Sequence, residues 1–353
     1  MENLIMNYLR KIDRTKIQID FCVSRTYPAP LDEEIKSYGC RIIYISTIKE
    51  KKWRYISYIT DIINEYGPYD AVHIHSAHMG AFSLLASRKA GINKRVYHVH
   101  SSQNLALRKI PFRNIIERIL SKIITSNATH RLACSIPAGN FVYRSFPFIC
   151  LKNAIDLNLY YPYDPIDIER IKNSLLIPKD AIVVGNVARF VPGKNQEHIV
   201  RIIAEDKKNN GNLFGLFVGD GNTLATVKEY AVCHGCIDKL IFVGAQINTA
   251  MYYNLMDVFC MPSEFEGLSL VTVEAQACGI PCVISDGVPD DVKMGDLLVY
   301  KCKLSDSLIT WTDQIYSLVN KRQFSKASVH SQIIQSGYDL DNVISQLESI
   351  YLD

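Results

Sequence analysis

Short apolar runs separated by longer amphipathic stretches recur from one end of this 353-residue chain to the other. No other feature constrains the fold as much. The alternation reads as successive strand–helix–strand units, whose strands pair in parallel with helices on both faces. In the first half the strand candidates are residues 17–23, 41–45, 71–75, 95–100, 131–134 and 148–152. A second series follows at 181–186, 213–218, 240–243, 258–261, 282–284 and 297–299. Between the two series, residues 160–179 contain Pro162, Pro165 and Pro178, which suits a connection with one short helix. Two doubly wound α/β domains are expected, residues 1–160 and 161–338, with ligands at the carboxyl ends of the strands. One piece is missing. A doubly wound domain opens on a strand and a tight glycine turn, yet here a helical pattern covers residues 2–12 and the first glycine is Gly39.

Composition narrows the class. With 48% hydrophobic and 21% charged residues, disorder and coiled coil are excluded. The net charge of +3 argues against nucleic acid but conceals a split. Residues 1–160 carry 23 Lys and Arg against 12 Asp and Glu, a formal +11, which leaves −8 for the rest. Ten cysteines without framework spacing, and no leader at Met1, suggest a reduced, cytoplasmic protein. No apolar run is long enough to span a bilayer.

The segment richest in chemistry is MPSEFEGLSLVTVEAQACGIPCVISD, residues 261–286. It reads as strand, glycine-containing loop, then a helix over about 269–278, and loop amides at a helix start attract a phosphate. Glu266 and Glu274 bracket that anion site, where a carboxylate is tolerated if sugar or ribose hydroxyls donate to it. In GNVARFVPGKN, residues 185–195, Arg189 and Lys194 follow the end of a strand and could hold a diphosphate without metal. Read alone, each of these residues is equally consistent with a solvated loop.

Together they resemble the retaining glycosyltransferases of family 4, two-domain GT-B enzymes that use nucleotide-sugar donors. The resemblance rests on Arg189 and Lys194, Gly219-Asp220-Gly221, and PSxxEG with Glu266 followed after seven residues by Glu274. Asn153 to Asp156 and His98 add to it, and EGLSLVTVEAQACGIPCVISD is most similar to bacterial exopolysaccharide and capsule members. It implies two Rossmann-like domains facing a cleft, the last residues, 339–353, crossing back to the first. It implies that Arg189 and Lys194 neutralise the leaving diphosphate, that Glu266 orients the donor sugar, and that His98 contacts that sugar. Glu274 would accept from the ribose, the amides of Gly267, Leu268, Ser269 and Leu270 would bind sugar and phosphate, and Gly244 and Ala245 would lie by the base. The expected donor is a UDP-sugar, used without metal or other cofactor, and the acceptor a glycan, often polyprenyl-linked. A nucleotide-sugar epimerase and a non-catalytic sugar-binding subunit remain alternatives on the same fold.

Other signals are weaker. His73, His75, His78, His98 and His100 lie in or just after two strand candidates, His73/His75 and His98/His100 each sharing a face. Zinc is conceivable there, but with only Asp70 near as an outer carboxylate, no metal is expected. Cys233 and Cys236 have no second pair. The basic half carries KEKKWRY around Trp53, then Arg108 and Lys109, then PFRNIIERILSKII with Arg113 and Arg118. Such clusters suit peripheral contact with an anionic inner membrane face, or equally a helix packed on its sheet.

Overall fold

In the computed structural model the chain is described at residues 2–25, 27–101, 112–295, 299–323 and 325–353. Arg108 and Lys109 lie outside the described residues. The chain divides into two compact units. The first joins Met1–Asn153 to Asp341–Asp353, and the second is Ala154–Leu340.

The second unit holds one parallel sheet of six strands: β7 (Ile182–Val187), β8 (Leu213–Val218), β9 (Leu240–Phe242), β10 (Val258–Met261), β11 (Cys282–Ser285) and β12 (Val299–Cys302). Their order, β12-β11-β10-β7-β8-β9, reverses beside β7, the doubly wound arrangement. Strands covered on both faces read as continuous apolar runs, as in LFGLFV of β8, which explains why period alone found them. Apolar residues of helices Gln196–Lys208 and Leu308–Leu318 pack on one face, Ile199, Ile203, Trp311 and Ile315 among them. Ala275 and Cys278 join the core on the other.

In the first unit the strands fall into two sheets. β1 (Phe21–Val23) pairs in parallel with β2 (Ile42–Tyr44), while β3 (Ala71–His75), β4 (Lys94–Val99), β5 (His130–Ala133) and β6 (Ile149–Cys150) form a four-stranded parallel sheet. Among the described residues no ladder joins β1 to β3, the gap expected from a chain that opens on a helix rather than a strand. Side chains tie the two sheets at their starts. Asp20 accepts from Arg41 Nε at 2.9 Å and from the Tyr69 hydroxyl at 2.8 Å. The opening helix, Glu2–Lys11, buries Met6 and Leu9 against Ile35 and Cys40. The last helix, Leu340–Leu352, returns to this unit, where Lys94 Nζ donates to the Tyr351 carbonyl at 2.8 Å and the Asp13 amide to Glu348 at 2.7 Å.

Candidate functional site

Three loops of the second unit, following β7, β10 and β11, are stitched together by backbone. The Glu264 amide donates to the Gly193 carbonyl at 2.8 Å and the Glu266 amide to the Gly287 carbonyl at 2.9 Å. Gly287 has to be a glycine, because a Cβ there would stand 2.3 Å from the Glu264 carbonyl oxygen. The stitching brings Lys194 Nζ to 2.6 Å from Glu266 Oε1, an ion pair whose carboxylate side chain is only 10% exposed. Enclosed charges in contact interact more strongly than surface pairs, and each depends on the other to offset its desolvation. Arg189 is exposed on the same loop, and its carbonyl accepts from Gln196 Nε2 at 3.1 Å.

The Gly219-Asp220-Gly221 turn proves to be a clamp on that loop. Both glycines have positive φ, 140° and 153°, and a Cβ on them would lie 2.0 Å from the Ala188 carbonyl oxygen and 2.2 Å from that of Phe190. Only glycine lets the two backbones approach so closely. The approach is secured by the Phe190 amide donating to the Asp220 carbonyl at 2.9 Å and the Thr223 amide to the Phe190 carbonyl at 3.1 Å.

Below the loop lies helix Leu270–Ala277, with Ser269 buried at its start. Gly267 is exposed with open space over its Cα, Leu268 and Leu270 are half-buried, and Gly244 accepts from the Gly219 amide at 2.8 Å, leaving Ala245 exposed. Glu274 is held from helix Ala250–Leu255, where the fully buried Tyr253 donates its hydroxyl to Oε2 at 2.7 Å. Burial pushes the Glu274 carboxyl up to about 7, against the hydrogen bonds of Tyr253 and Tyr160. Tyr160 is itself held by Thr249, hydroxyl to hydroxyl at 3.1 Å. Sequence reasoning missed these tyrosines. The signal available was that a buried tyrosine needs a partner for its hydroxyl.

In the first unit the β3–β4 register sets His75 opposite His98, so the two histidine pairs merge into one cluster. Ring centroids are 4.0 Å apart for His98 and His100 and 5.4 Å for His75 and His98. His98, expected to touch the donor sugar, is 0% exposed, and neither ring nitrogen has a hydrogen-bond partner. Burial, then His100 and His73, holds it well below the usual imidazole range. His100, just past the end of β4, is half-buried and bonds Asn153 Oδ1 through Nδ1 at 2.9 Å. Burial lowers His100 to about 4.

Elsewhere the basic face differs from a simple packed helix. Helix Arg113–Asn127 buries Leu120 and Ile124, but Phe112, Ile115 and Ile119 are 79%, 57% and 56% exposed beside exposed Arg113, Arg118 and Lys122. Trp53 is 80% exposed, with Arg54 stacked 4.7 Å from its ring. Among the described residues no helix is long and apolar enough to cross a membrane. An Asp-x-Asp run, a common metal–diphosphate pattern, occurs as Asp339-Leu340-Asp341. Asp339 is buried and Asp341 is paired with Lys11 at 3.1 Å.

Two family models match the chain. Residues 1–149 fit the model described as Glycosyltransferase Family 4, and residues 167–318 fit that described as Glycosyl transferases group 1. EpsF of Bacillus subtilis (strain 168), which carries a glycosyltransferase name, is 32% identical over 99% of this chain and 92% of its own length. The capsular polysaccharide biosynthesis glycosyltransferase CapH of Staphylococcus aureus is 23% identical over 98% and 94%. A UDP-Gal:alpha-D-GlcNAc-diphosphoundecaprenol alpha-1,3-galactosyltransferase of Escherichia coli is 24% identical over 81% and 76%. Among solved structures, Anabaena Alr3699/HepE in complex with UDP superposes with a TM-score of 0.75 at 16% identity, covering 99% of this chain and 94% of that one, and so shares the fold. With a family model matching within each unit and a relative 32% identical along 99% of the chain, the chain belongs to the family 4 glycosyltransferases of GT-B fold, among those that build bacterial polysaccharides.

Proposed function

We propose that this glycosyltransferase moves a sugar with retention from a UDP-sugar to a growing, lipid-linked glycan, and does so without metal at the diphosphate. The observation that carries this reading is the Lys194–Glu266 pair, stitched into place beside the start of helix Leu270–Ala277. Lys194 and Arg189 supply positive charge where the diphosphate develops negative charge on leaving, a stabilisation that grows toward the transition state. Glu266 orients the donor sugar, with the amides of Gly267 to Leu270 on sugar and phosphate and the turn at Gly244 and Ala245 by the base. Glu274, held through Oε2 by Tyr253, would accept hydrogen bonds from the ribose hydroxyls. His98 is wholly enclosed, and both ring nitrogens of His100 are engaged, Nδ1 with Asn153 and Nε2 with His75, so neither offers an accessible free nitrogen to the donor sugar.

In the step we propose, the bond from the anomeric carbon to the diphosphate oxygen breaks as the acceptor oxygen bonds on the same face. The acceptor's proton passes to the departing diphosphate. The Escherichia coli relative, whose name specifies a UDP-sugar and a diphosphoundecaprenol acceptor, supports the donor class and the lipid-linked acceptor. A lipid-linked acceptor also suits the exposed Phe112, Ile115 and Ile119 among basic residues, which would rest on an anionic membrane surface.

The test is a screen of purified chain against nucleotide sugars, with and without EDTA, using a polyprenyl-diphosphate-linked sugar as acceptor. We expect transfer from one UDP-sugar, unchanged by EDTA, with the product anomer read by NMR. Donor conversion without acceptor would identify an epimerase, and a β-linked product from an α-linked donor would overturn retention.

A further inference from the structure

We propose that His73, His75 and His98 of the first unit form a zinc-binding site. One ring nitrogen of each lies within 4.8 Å of those of the other two. The sequence separated these residues into two pairs, and the parallel register of β3 and β4 joins them on one face of the sheet.

The hydrogen bonds show which nitrogens are spoken for. His100 meets the Asn153 carbonyl oxygen through Nδ1, so its Nδ1 carries the proton and its Nε2 is an acceptor. His75 Nδ1, 2.9 Å from that Nε2, is then the donor, which leaves the lone pair of His75 on Nε2. His73 repeats the pattern, with Nδ1 bonded to the Tyr351 hydroxyl and Nε2 buried without a partner. Neither ring nitrogen of His98 has a geometrically formed hydrogen bond, and the Leu151 backbone is the polar main-chain group that acts on the ring. Buried ring nitrogens left without a partner carry an uncompensated desolvation cost, and a metal ion satisfies them where no side chain does.

Outer partners on the far ring nitrogens are what orient histidine ligands, and here Tyr351 and the His100–Asn153 pair occupy those positions. Three imidazole nitrogens match the ligand set of Zn²⁺, whose fourth position would be taken by a water-derived ligand. The rings of His73 and His98 now stack at 9°, so coordination turns them about χ2 to converge on the ion. The donor-side residues Lys194, Glu266 and Glu274 belong to the other unit, so this site is compatible with metal-free handling of the diphosphate.

The test titrates the full chain, stripped with EDTA and with exposed thiols alkylated, with Zn²⁺ alone. Occupancy is read by elemental analysis after gel filtration, and affinity by competition with a chromophoric chelator. We expect one equivalent bound, His73→Gln weakening it at least tenfold, and Tyr351→Phe, which retains every ligand, weakening it about tenfold. If His73→Gln does not fold, the Tyr351→Phe comparison decides. Less than about a tenth of an equivalent bound by wild type, or equal affinity in the folded variants and wild type, overturns the site.

Discussion

Tyr253 reaches Glu274 at 2.7 Å from a neighbouring helix and is the main brake on protonation of that carboxylate. With Glu274 raised to about 7, a ligand that donates hydrogen bonds to it should bind more weakly as pH falls through 7. Removing the brake in Tyr253→Phe raises the carboxyl further and moves that loss to higher pH. UDP titration by calorimetry at pH 6.5, 7.5 and 8.5 checks it. An unshifted profile would show that Tyr253 does not control the charge.

The same burial should make Glu274 a liability for stability. A carboxyl raised from 4.5 to about 7 binds more protons folded than unfolded in that interval, so stability falls as pH rises across it and the loss is complete above about 7. Glu274→Gln should therefore stabilise the chain at pH 8 by roughly 1–3 kcal/mol, trimmed by its partial exposure, and change little at pH 4. Transfer should be lost in the same variant. Urea melts at the two pH values, with an activity assay, test both halves.

Lys194→Ala should reduce transfer by about 10²–10³-fold, as removal of one transition-state charge stabiliser typically does. It also strands the Glu266 carboxylate, so the folded state should lose about 3 kcal/mol. Adding Glu266→Ala should recover part of that stability but none of the activity. A double-mutant cycle on melting and on kcat separates the two.

Gly219→Ala should distort the Arg189 loop from a distance, because the new methyl would press on the Ala188 carbonyl. Strain of this kind costs about 1–3 kcal/mol. Donor affinity should fall although no donor-facing side chain has changed, and UDP titration of the folded variant measures it.

For the basic face, Ile115→Asp with Ile119→Asp should leave the melting temperature nearly unchanged, since both side chains are largely exposed. The pair should abolish sedimentation with anionic vesicles at low salt. Wild type should be released by high salt, each basic residue near the surface contributing about 1 kcal/mol.

Much of this architecture was legible in the chain. Each expected strand has a counterpart within a few residues, because short apolar runs bounded by glycine and proline survive any choice of helix packing. The last, expected at 297–299, is found at Val299–Cys302, with 296–298 outside the described residues. The E-x₇-E spacing likewise located both glutamates, since loop and helix are contiguous there. What escaped depended on neighbours remote in sequence. The Tyr253–Glu274 bond spans two helices, and the union of the histidine pairs needs β3 and β4 in register. The exposure of Ile115 and Ile119 was not legible either, because a helical period places both on the apolar stripe without saying where the sheet ends.

The break between the β1–β2 pair and the four-stranded sheet has a mechanical meaning. With no ladder across it among the described residues, residues 2–66 are fastened to the rest of the first unit by contacts that include Asp20 with Tyr69, the Asp13 amide with Glu348, and Ile43 and Ile45 packed with Ala86 and Phe82. Such a lobe can swing open without tearing a sheet. Its amides should exchange with solvent as one cooperative block, at a lower free energy than those of β4 and β5, giving the first unit a seam that the continuous six-stranded sheet of the second does not have.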